Sequence, residues 1–377
     1  MKLVSIEPTP NPNSMKVTLD VSLDPGIKYT FTQQNLDRCP AQVQALLLIP
    51  GVESIFQVAD FLSLQRHPSA DWETILTRVR SILEGEAAGG DPAPVEQRAL
   101  DAAFGEVQVS LQHFRRLPML IKVSNGREEK RFAIPARFQE AMTGAAKAAK
   151  NMLMERRWQV IGIRYGTLDQ VGEVSVEEID AAYDDRRLQV LTEAAFEYDE
   201  NGQEAPRWSD EELDKKLASD DWRERFAALS QIGADPARID LLVRMAGDPK
   251  MNIRRLCVVY LGLIQGEQVM EPLCEALKDD AVAVRRTAGD ALTDLGNPRA
   301  IEPMVRTLKD PNKLVRWRAA RFLFEHGNQS ALSALAEVAG DPEFEVRMQV
   351  RQAIERIESG GEAQGTVWQQ LTRPSES

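Results

Sequence analysis

The sequence has few of the side chains that build disulfide frameworks and metal centres. Its 377 residues include 3 cysteines, Cys39, Cys257 and Cys274, and 3 histidines. A sparse and odd set of cysteines implies no disulfide framework and is typical of a reducing compartment. The chain also contains no Cys-x-x-Cys pair, the spacing at which thiolates hold iron–sulfur clusters. The sequence therefore predicts a protein without a cofactor or a bound metal.

Long apolar runs are also missing, and the start of the chain leads us to expect no secretion leader. No run of about 18 apolar residues occurs, and Pro8, Pro10 and Pro12 interrupt the start of the chain. We therefore expect a cytoplasmic protein with no membrane partner. The formal net charge is −12, and residues 169–204 carry 12 acidic and 2 basic side chains. Such a chain is repelled by phosphate, which argues against a nucleic acid partner.

Catalytic motifs are absent as well. The sequence contains no zinc-ligand spacing, Walker loop, dinucleotide fingerprint or serine-nucleophile elbow. No His-Glu pair recurs in the second half of the chain, and His326 is best explained as a charge-compatible helix end. The sequence therefore predicts no catalytic residues and a protein that is not an enzyme.

An aspartate and an arginine recur at a fixed interval in the second half of the sequence. The interval is 31 residues, and an aliphatic residue followed by arginine comes five positions after each aspartate. The two columns are Asp248, Asp279, Asp310 and Asp341, and Arg254, Arg285, Arg316 and Arg347. One further step back reaches Trp222 and Arg223, with the acidic residues Asp220 and Asp221 at a shifted position. The period predicts five structural repeats.

Each repeat contains two amphipathic segments. Ala300 to Leu308 and Asn312 to Glu325 both place apolar residues at helical spacing. A single helical hairpin cannot cover its own apolar faces, so we predict stacking of five helix pairs over residues 208–358. The pattern resembles HEAT-like repeats, which implies an all-α HEAT-like α-solenoid. A flexible tail is expected at 359–377.

The resemblance to HEAT-like repeats implies roles for two sets of side chains. In that family the aspartate and arginine columns form a structural ladder between successive repeats. The second helix of each pair lines the concave face, where this sequence carries a basic and aromatic set. The set is Arg255, Arg286, Trp317, Arg318 and Arg321. We predict that it binds an unidentified protein partner; the alternative is a solvated face with Trp317 packed between repeats.

Residues 1–84 form a separate sequence region. The segments TPNPNSMKVTLD and LLLIPGVESIFQVADFLSLQR resemble the amino-terminal domain of Nfu/NifU-type iron–sulfur scaffold proteins. We predict a small α+β domain with a strand over Met15 to Leu19, a turn at Ala59 and Asp60, and a helix from Asp71. Nfu proteins hold their cluster through a Cys-x-x-Cys pair in another domain. That pair is missing here, so the resemblance does not extend to cluster binding.

A second α+β domain is predicted at 95–204, after a Gly, Ala and Pro linker at 85–94. The predicted elements are a strand over 107–112, a hairpin around 125–126, a helix over 137–156 and a strand over 158–165. The acidic stretch up to Glu204 is expected to form one or two surface helices that connect this domain to the repeats.

The combination of regions resembles the Firmicutes family of conserved virulence factor C proteins, whose members are implicated in controlling virulence-gene expression. The resemblance and the repeats predict a non-enzymatic protein-interaction adaptor with a regulatory role. The alternative is an accessory factor in iron–sulfur cluster assembly that docks assembly proteins without binding a cluster itself. An enzyme or small-ligand protein and a DNA-binding protein are further alternatives. The 22 basic and 26 acidic residues of 208–358 argue against DNA.

Overall fold

A computed structural model describes residues 1–9, 13–24, 27–67, 70–84, 106–126, 128–149, 151–197 and 208–360. These residues belong to two compact units. Unit 1 comprises the described residues of 1–104 and 296–377, and unit 2 those of 105–295. The predicted linker at 85–94 lies outside the described residues, as do residues 361–377 of the predicted tail and residues 10–12 of the segment TPNPNSMKVTLD.

Unit 1 contains a five-stranded antiparallel sheet of order β1-β2-β5-β4-β3. The strands are β1 (Leu3–Pro8), β2 (Ser14–Leu19), β3 (Lys28–Thr32), β4 (Val52–Val58) and β5 (Phe61–Arg66). Strands β4 and β5 meet at the predicted turn, where Ala59 has φ +46°. The predicted strand and hairpin of this region are confirmed.

Two helices cover this sheet: α1 (Ala41–Leu47) and α2 (Trp72–Glu84). Helix α2 starts where the Asp71 carboxylate accepts the N–H of Thr74 at 2.7 Å, which satisfies a backbone donor of the first turn. Its apolar stripe, which includes Trp72 and Val79, packs on core residues of the sheet such as Leu64. Burial of this stripe fixes the helix on the sheet.

Unit 1 also contains two helix pairs. They are α12 (Ile301–Thr307) with α13 (Lys313–His326), and α14 (Leu332–Glu337) with α15 (Phe344–Ser359). The side chains of Asn297 and Asn328 cap the short turns before α12 and α14 by accepting N–H groups at 3.0 and 2.9 Å. The ends of α12 and α13 lie within one residue of the predicted bounds.

Unit 2 contains a four-stranded antiparallel sheet of order β8-β7-β6-β9. The strands are β6 (Glu106–Phe114), β7 (Leu117–Ser124), β8 (Glu129–Ala133) and β9 (Arg156–Tyr165). The predicted strands and the hairpin between β7 and β8 are confirmed. A register shift opposite Val109 and Ser110 marks a bulge in β9 next to Gly162, whose φ is +137°.

Three helices cover one face of this sheet: α3 (Ala136–Ala146), α4 (Leu168–Ala182) and α5 (Asp185–Ala194). The predicted helix over 137–156 is wrong at its end, because Asn151 forms a local turn by accepting the N–H of Leu153 at 3.1 Å. The acidic stretch does form helices, but α4 and α5 contribute Val171, Ile179 and Leu188 to the core instead of lying on the surface as a connector.

Unit 2 contains three helix pairs after residue 208. They are α6 (Asp210–Leu217) with α7 (Trp222–Ile232), α8 (Ile239–Met245) with α9 (Met251–Ile264), and α10 (Met270–Ala276) with α11 (Val282–Leu295). Helix α6 opens with a capping box formed by Ser209 and Glu212. The fold class predicted from the sequence, two α+β domains and a helical-repeat region, is confirmed.

Candidate partner-binding surfaces

The aspartate and arginine columns meet as ion pairs within each unit. In unit 2 the Asp279 carboxylate accepts hydrogen bonds from Arg254 Nε at 2.7 Å and Nη2 at 2.9 Å. In unit 1 Arg316 makes the same two contacts with Asp341, at 2.7 and 3.0 Å. Two parallel N–H···O bonds fix the orientation of both groups. Burial opposes ionisation of Asp279, but hydrogen bonds from Arg254 and from the Ala281 N–H lower its pKa overall.

Each column residue also holds the loop before its helix. A carboxylate oxygen of Asp248 accepts the N–H of Lys250 at 2.8 Å. The equivalent bonds run from Ala281, Asn312 and Glu343 to Asp279, Asp310 and Asp341. The Nη1 atoms of Arg254, Arg285, Arg316 and Arg347 each donate to two carbonyl groups of the preceding loop. The columns therefore stabilise the entry to each second helix.

In the first repeat, Arg225 makes the contacts that the column arginines make in the other repeats. Its Nη1 donates to the carbonyls of Ser219 and Asp220 at 2.8 and 2.9 Å, and it pairs with Asp248 at 2.7 Å. The residue predicted from the interval was Arg223, two positions earlier. The shifted acidic residue Asp220 was the signal that the first repeat departs from the period.

Arg255, a predicted partner ligand, is buried within unit 2. It is 5% exposed, and its Nη2 donates to both carboxylate oxygens of Glu178 on α4 at 2.8 and 3.0 Å. Asn252 donates to the same carboxylate at 3.1 Å, and Arg164 lies 3.5 Å from it. Burial opposes ionisation of Glu178, but the charges of Arg255 and Arg164 lower its pKa overall. Four polar groups from β9, α4 and α9 thus form one buried network.

Arg286, a second residue predicted to bind a partner, is also buried within unit 2. It is 7% exposed, and its guanidinium lies 3.5 Å from the centroid of the Tyr165 ring at the end of β9. The Tyr165 hydroxyl is 3.4 Å from Asp290 on the same helix as Arg286. The contact of Arg255 and Arg286 with a partner stays a prediction, and in this structure both bind side chains of their own chain.

The remaining predicted ligands lie on α13 in unit 1. Trp317 and Arg321 are buried, and Arg318 is half-buried. Arg321 pairs with Glu325 at 2.5 Å, and its guanidinium lies 5.3 Å from the ring centroid of Phe324. Arg318 is therefore the one member of the predicted set that presents part of its side chain to solvent.

In unit 1 the first α+β domain contacts the last helix pair. Arg66, which is 1% exposed, pairs with Glu345 of α15 at 2.7 Å, and burial lowers its pKa. Arg347 Nη2 lies 3.5 Å from Glu73 of α2. An open groove of about 430 Å³ runs beside Arg347 and Glu73, with Leu76 of α2 among its lining residues. A carboxylate of the α+β domain thus faces an arginine of the repeat column.

The outer face of the second sheet exposes large apolar side chains. Trp158, Val160 and Ile163 on β9 are 40%, 57% and 53% exposed. Leu153 and Met154, in the turn before β9, are exposed to a still greater extent. A contiguous apolar patch at a sheet edge is a feature of protein-binding surfaces. The sequence signal for it was weak, because the alternation of Trp158 and Val160 predicts a strand without saying which face is covered.

The cysteines and histidines do not gather into a site within the described residues. No group of three or more His, Cys, Asp or Glu side chains there is arranged to hold a metal ion. Cys257 is buried, which raises the pKa of its thiol, and Cys39 Sγ lies 3.4 Å from the carbonyl of Asn35. Burial lowers the pKa of His113 to about 4. No helix among these residues combines the length and apolarity that crossing a bilayer requires.

Comparison with protein families assigns a family to each region. Residues 4–90 match the family model of the scaffold protein Nfu/NifU N terminal, and residues 112–192 match that of a virulence factor. Residues 211–292 and 270–355 match HEAT repeats. The HEAT-like and Nfu-like resemblances drawn from the sequence are therefore confirmed.

Relatives from two genera cover the whole chain. The uncharacterized protein YpgR of Bacillus subtilis is 43% identical over 99% of this chain and 98% of its own length. Conserved virulence factor C of Staphylococcus saprophyticus is 41% identical over 100% of both chains. The crystal structure of protein SAV1430 from Staphylococcus aureus is 41% identical and covers 22% of this chain and 98% of its own, with a TM-score of 0.21. The chain belongs to the conserved virulence factor C family.

Proposed function

We propose that the protein is a non-enzymatic adaptor, in which the HEAT repeats of each unit hold an α+β domain in place and the outer surfaces of these domains bind partner proteins. HEAT repeats are interaction modules, and their usual ligand is another protein. In this chain their buried arginines contact the chain itself. Partner binding is therefore assigned to the surfaces that remain exposed.

The observation that carries the proposal is the buried network around Glu178. Arg255 and Asn252 come from a repeat helix, whereas Glu178 and Arg164 come from the second α+β domain. Removing Glu178 would leave Arg255 and Arg164 without their shared counter-charge, and loss of one partner of a buried pair costs about 3–5 kcal/mol. An interface that is so costly to break suits a scaffold that holds its domain firmly.

Unit 1 supports the same interpretation by a different set of contacts. Arg66 and Glu345 form a largely buried pair between the first α+β domain and the last repeat. The apolar side chains of Phe344 and Met348 on α15 pack against the core of that domain. The repeat helix therefore serves as a binding face for a domain of its own chain.

The experiment is capture of partners by the full chain from a lysate of Bacillus subtilis, which makes one of the relatives described above. An adaptor should retain at least one protein in stoichiometric amount. A ternary complex should then form with two different purified partners, and omission of the chain should abolish it. Absence of any retained protein above a bare-matrix control would contradict the proposal, as would turnover of a small molecule by the purified chain.

A second function, accessory factor in iron–sulfur cluster assembly, is favoured by the match of residues 4–90 to the Nfu/NifU amino-terminal family. In that case the captured protein would be a cysteine desulfurase or a cluster scaffold. Anaerobic reconstitution of the chain alone should give no cluster absorbance, because the sequence contains no Cys-x-x-Cys pair.

The name of the Staphylococcus relatives supports a regulatory role connected with virulence, and this is the role we propose for the adaptor. A cytoplasmic location is part of the same proposal, since the partners of a regulator of gene expression are cytoplasmic. Fractionation of cells that express a tagged chain tests the location directly.

A further inference from the structure

We propose that the outer edge of β9 is a docking site for an extended, acidic segment of a partner protein, which joins the second sheet as a fifth strand. The inference rests on the adaptor function proposed above and names the way in which one partner binds. It concerns unit 2 alone.

The geometry of β9 provides a free strand edge. The strand has 10 residues and pairs with β6 on one side, and no other described strand pairs with it on the other. A ladder with one neighbour uses the backbone groups of one side, so the N–H and C=O groups of the other side do not pair with β6. The carbonyls of Arg156 and Ile163 accept from the Nη1 atoms of Arg157 and Arg164, and an added strand would replace such local bonds. Four consecutive residues, Arg157 to Val160, are exposed. The available backbone is therefore accessible to a partner.

The side chains next to this edge are apolar and lie on one face. Trp158, Val160 and Ile163 are opposite Gln112, Ser110 and Gln108 of β6, on the face of the sheet that α3, α4 and α5 do not cover. An added strand would place its own alternate side chains beside Trp158 and Val160. The partner segment should therefore carry apolar, β-branched residues at every second position.

The charges of β9 indicate the chemistry of the partner. The strand carries Arg156, Arg157 and Arg164 and no acidic residue. Like charges at opposite positions of neighbouring strands destabilise a pair, whereas opposite charges stabilise it. A second copy of β9 brings three more arginines, so antiparallel self-pairing is disfavoured. An acidic segment is attracted to the same edge.

The carboxyl-terminal end of β9 is already occupied. Arg164 lies next to Glu178, and Tyr165 contacts Arg286. The bulge at Gly162 separates this end from the regular ladder of Arg156 to Val160. The added strand should therefore pair mainly with the first half of β9, over about five residues, which is an ordinary strand length.

The test uses a synthetic peptide of about ten residues, with alternating valine and threonine in the middle and glutamates at both ends. Three control peptides are needed: one with lysines in place of the glutamates, and two with N-methyl groups on alternate amides, in one or the other phase. N-methylation blocks strand addition only on the side that faces β9. Binding to the full chain is measured by isothermal titration and by hydrogen exchange of residues 156–165.

Two variants of the chain complete the design. Val160→Lys places a charge in the apolar face, and Arg157→Glu replaces one of the three positive charges of β9 with a negative one. Leu263→Lys, at a residue of α9 that is 65% exposed, is the matched control for a lysine on the surface. Circular dichroism should show that all three variants retain the fold.

The expected result is binding of the glutamate peptide with protection of residues 156–165 from exchange. Binding should weaken at least about tenfold with Val160→Lys, with the lysine peptide and with one phase of N-methylation. Arg157→Glu should reduce the preference for the glutamate peptide over the lysine peptide, and Leu263→Lys should change nothing.

The inference is overturned if the glutamate peptide does not bind, if both N-methylated peptides bind equally well, or if the charge reversal has no effect. It is also overturned if the chain is a dimer that Val160→Lys dissociates, because a second copy would then occupy the edge. If Val160→Lys and Arg157→Glu still form the ternary complex of the adaptor test, this docking site fails while the adaptor function stands.

Discussion

Substitution of Glu178 tests the contact between the repeats and the second α+β domain. The Glu178→Ala variant removes the carboxylate that accepts from Arg255 and Asn252 and lies beside Arg164. Two arginines then share a buried site without their counter-charge. Loss of one partner of a buried pair costs about 3–5 kcal/mol. We expect the free energy of unfolding of unit 2 to fall by this amount.

The matched control is the neighbouring residue. Glu177 pairs with Lys250 at 3.0 Å, but both side chains are about one-third exposed. A pair in such a position contributes about 0–1 kcal/mol. Urea denaturation followed by circular dichroism and tryptophan fluorescence compares Glu178→Ala with Glu177→Ala, taking the transition that responds to Glu178→Ala as that of unit 2.

The same network predicts a pH dependence with a definite sign. Burial opposes ionisation of Glu178, but Arg255 and Arg164 lower its pKa below the ordinary 4.5 overall. Its contribution to stability is therefore complete above that ordinary value and is lost as the pH falls through the lower pKa of the folded state. In Glu178→Gln this acid-dependent part of the stability should disappear.

Equal losses of unfolding free energy in Glu178→Ala and Glu177→Ala would refute the reasoning.

Three further predictions concern the columns, a cysteine and unit 1. Asp279→Ala should destabilise unit 2 by about 1–3 kcal/mol in thermal or urea unfolding, because Arg254 loses its two hydrogen bonds to the carboxylate and the loop before α11 loses the bond from the Ala281 N–H; an unchanged midpoint would contradict this. The Cys257 thiol should react with a disulfide reagent only after unfolding, since burial raises its pKa; rapid reaction of the native thiol would contradict this. Arg66→Ala should destabilise unit 1 by about 3–5 kcal/mol, because the carboxylate of Glu345 loses its largely buried partner; a loss below about 1 kcal/mol would contradict this.

The regular parts of the fold follow from local sequence signals. Helices α12 and α13 lie close to their predicted bounds because an interval of 31 residues repeats the same aspartate, apolar stripe and arginine. The turn at Ala59 and Asp60 and the hairpin between β7 and β8 depend on residues close in sequence. Such signals act within one turn or hairpin, and for that reason they can be read without coordinates.

The contacts of the candidate site depend on residues far apart in sequence. Glu178 was one of 12 acidic residues in a stretch that was interpreted as a surface connector. Nothing in its neighbourhood indicates that Arg255, in another domain, covers it. Likewise, nothing in the sequence around Tyr165 indicates that Arg286 contacts its ring. A basic and aromatic face on a helix predicts an acidic or aromatic contact, but the sequence does not say whether that contact belongs to a partner or to the chain itself.

The contact of the repeat arginines with the second α+β domain of their own chain can be tested by hydrogen exchange of α4, measured by mass spectrometry on the full chain. In the variant Arg255→Ala with Arg286→Ala, the amides of Leu168–Ala182 should exchange at least about tenfold faster than in the wild type, because local opening becomes less costly. Arg244→Ala, at an exposed arginine of α8, should leave the rate unchanged. Equal exchange in all three chains would contradict the account.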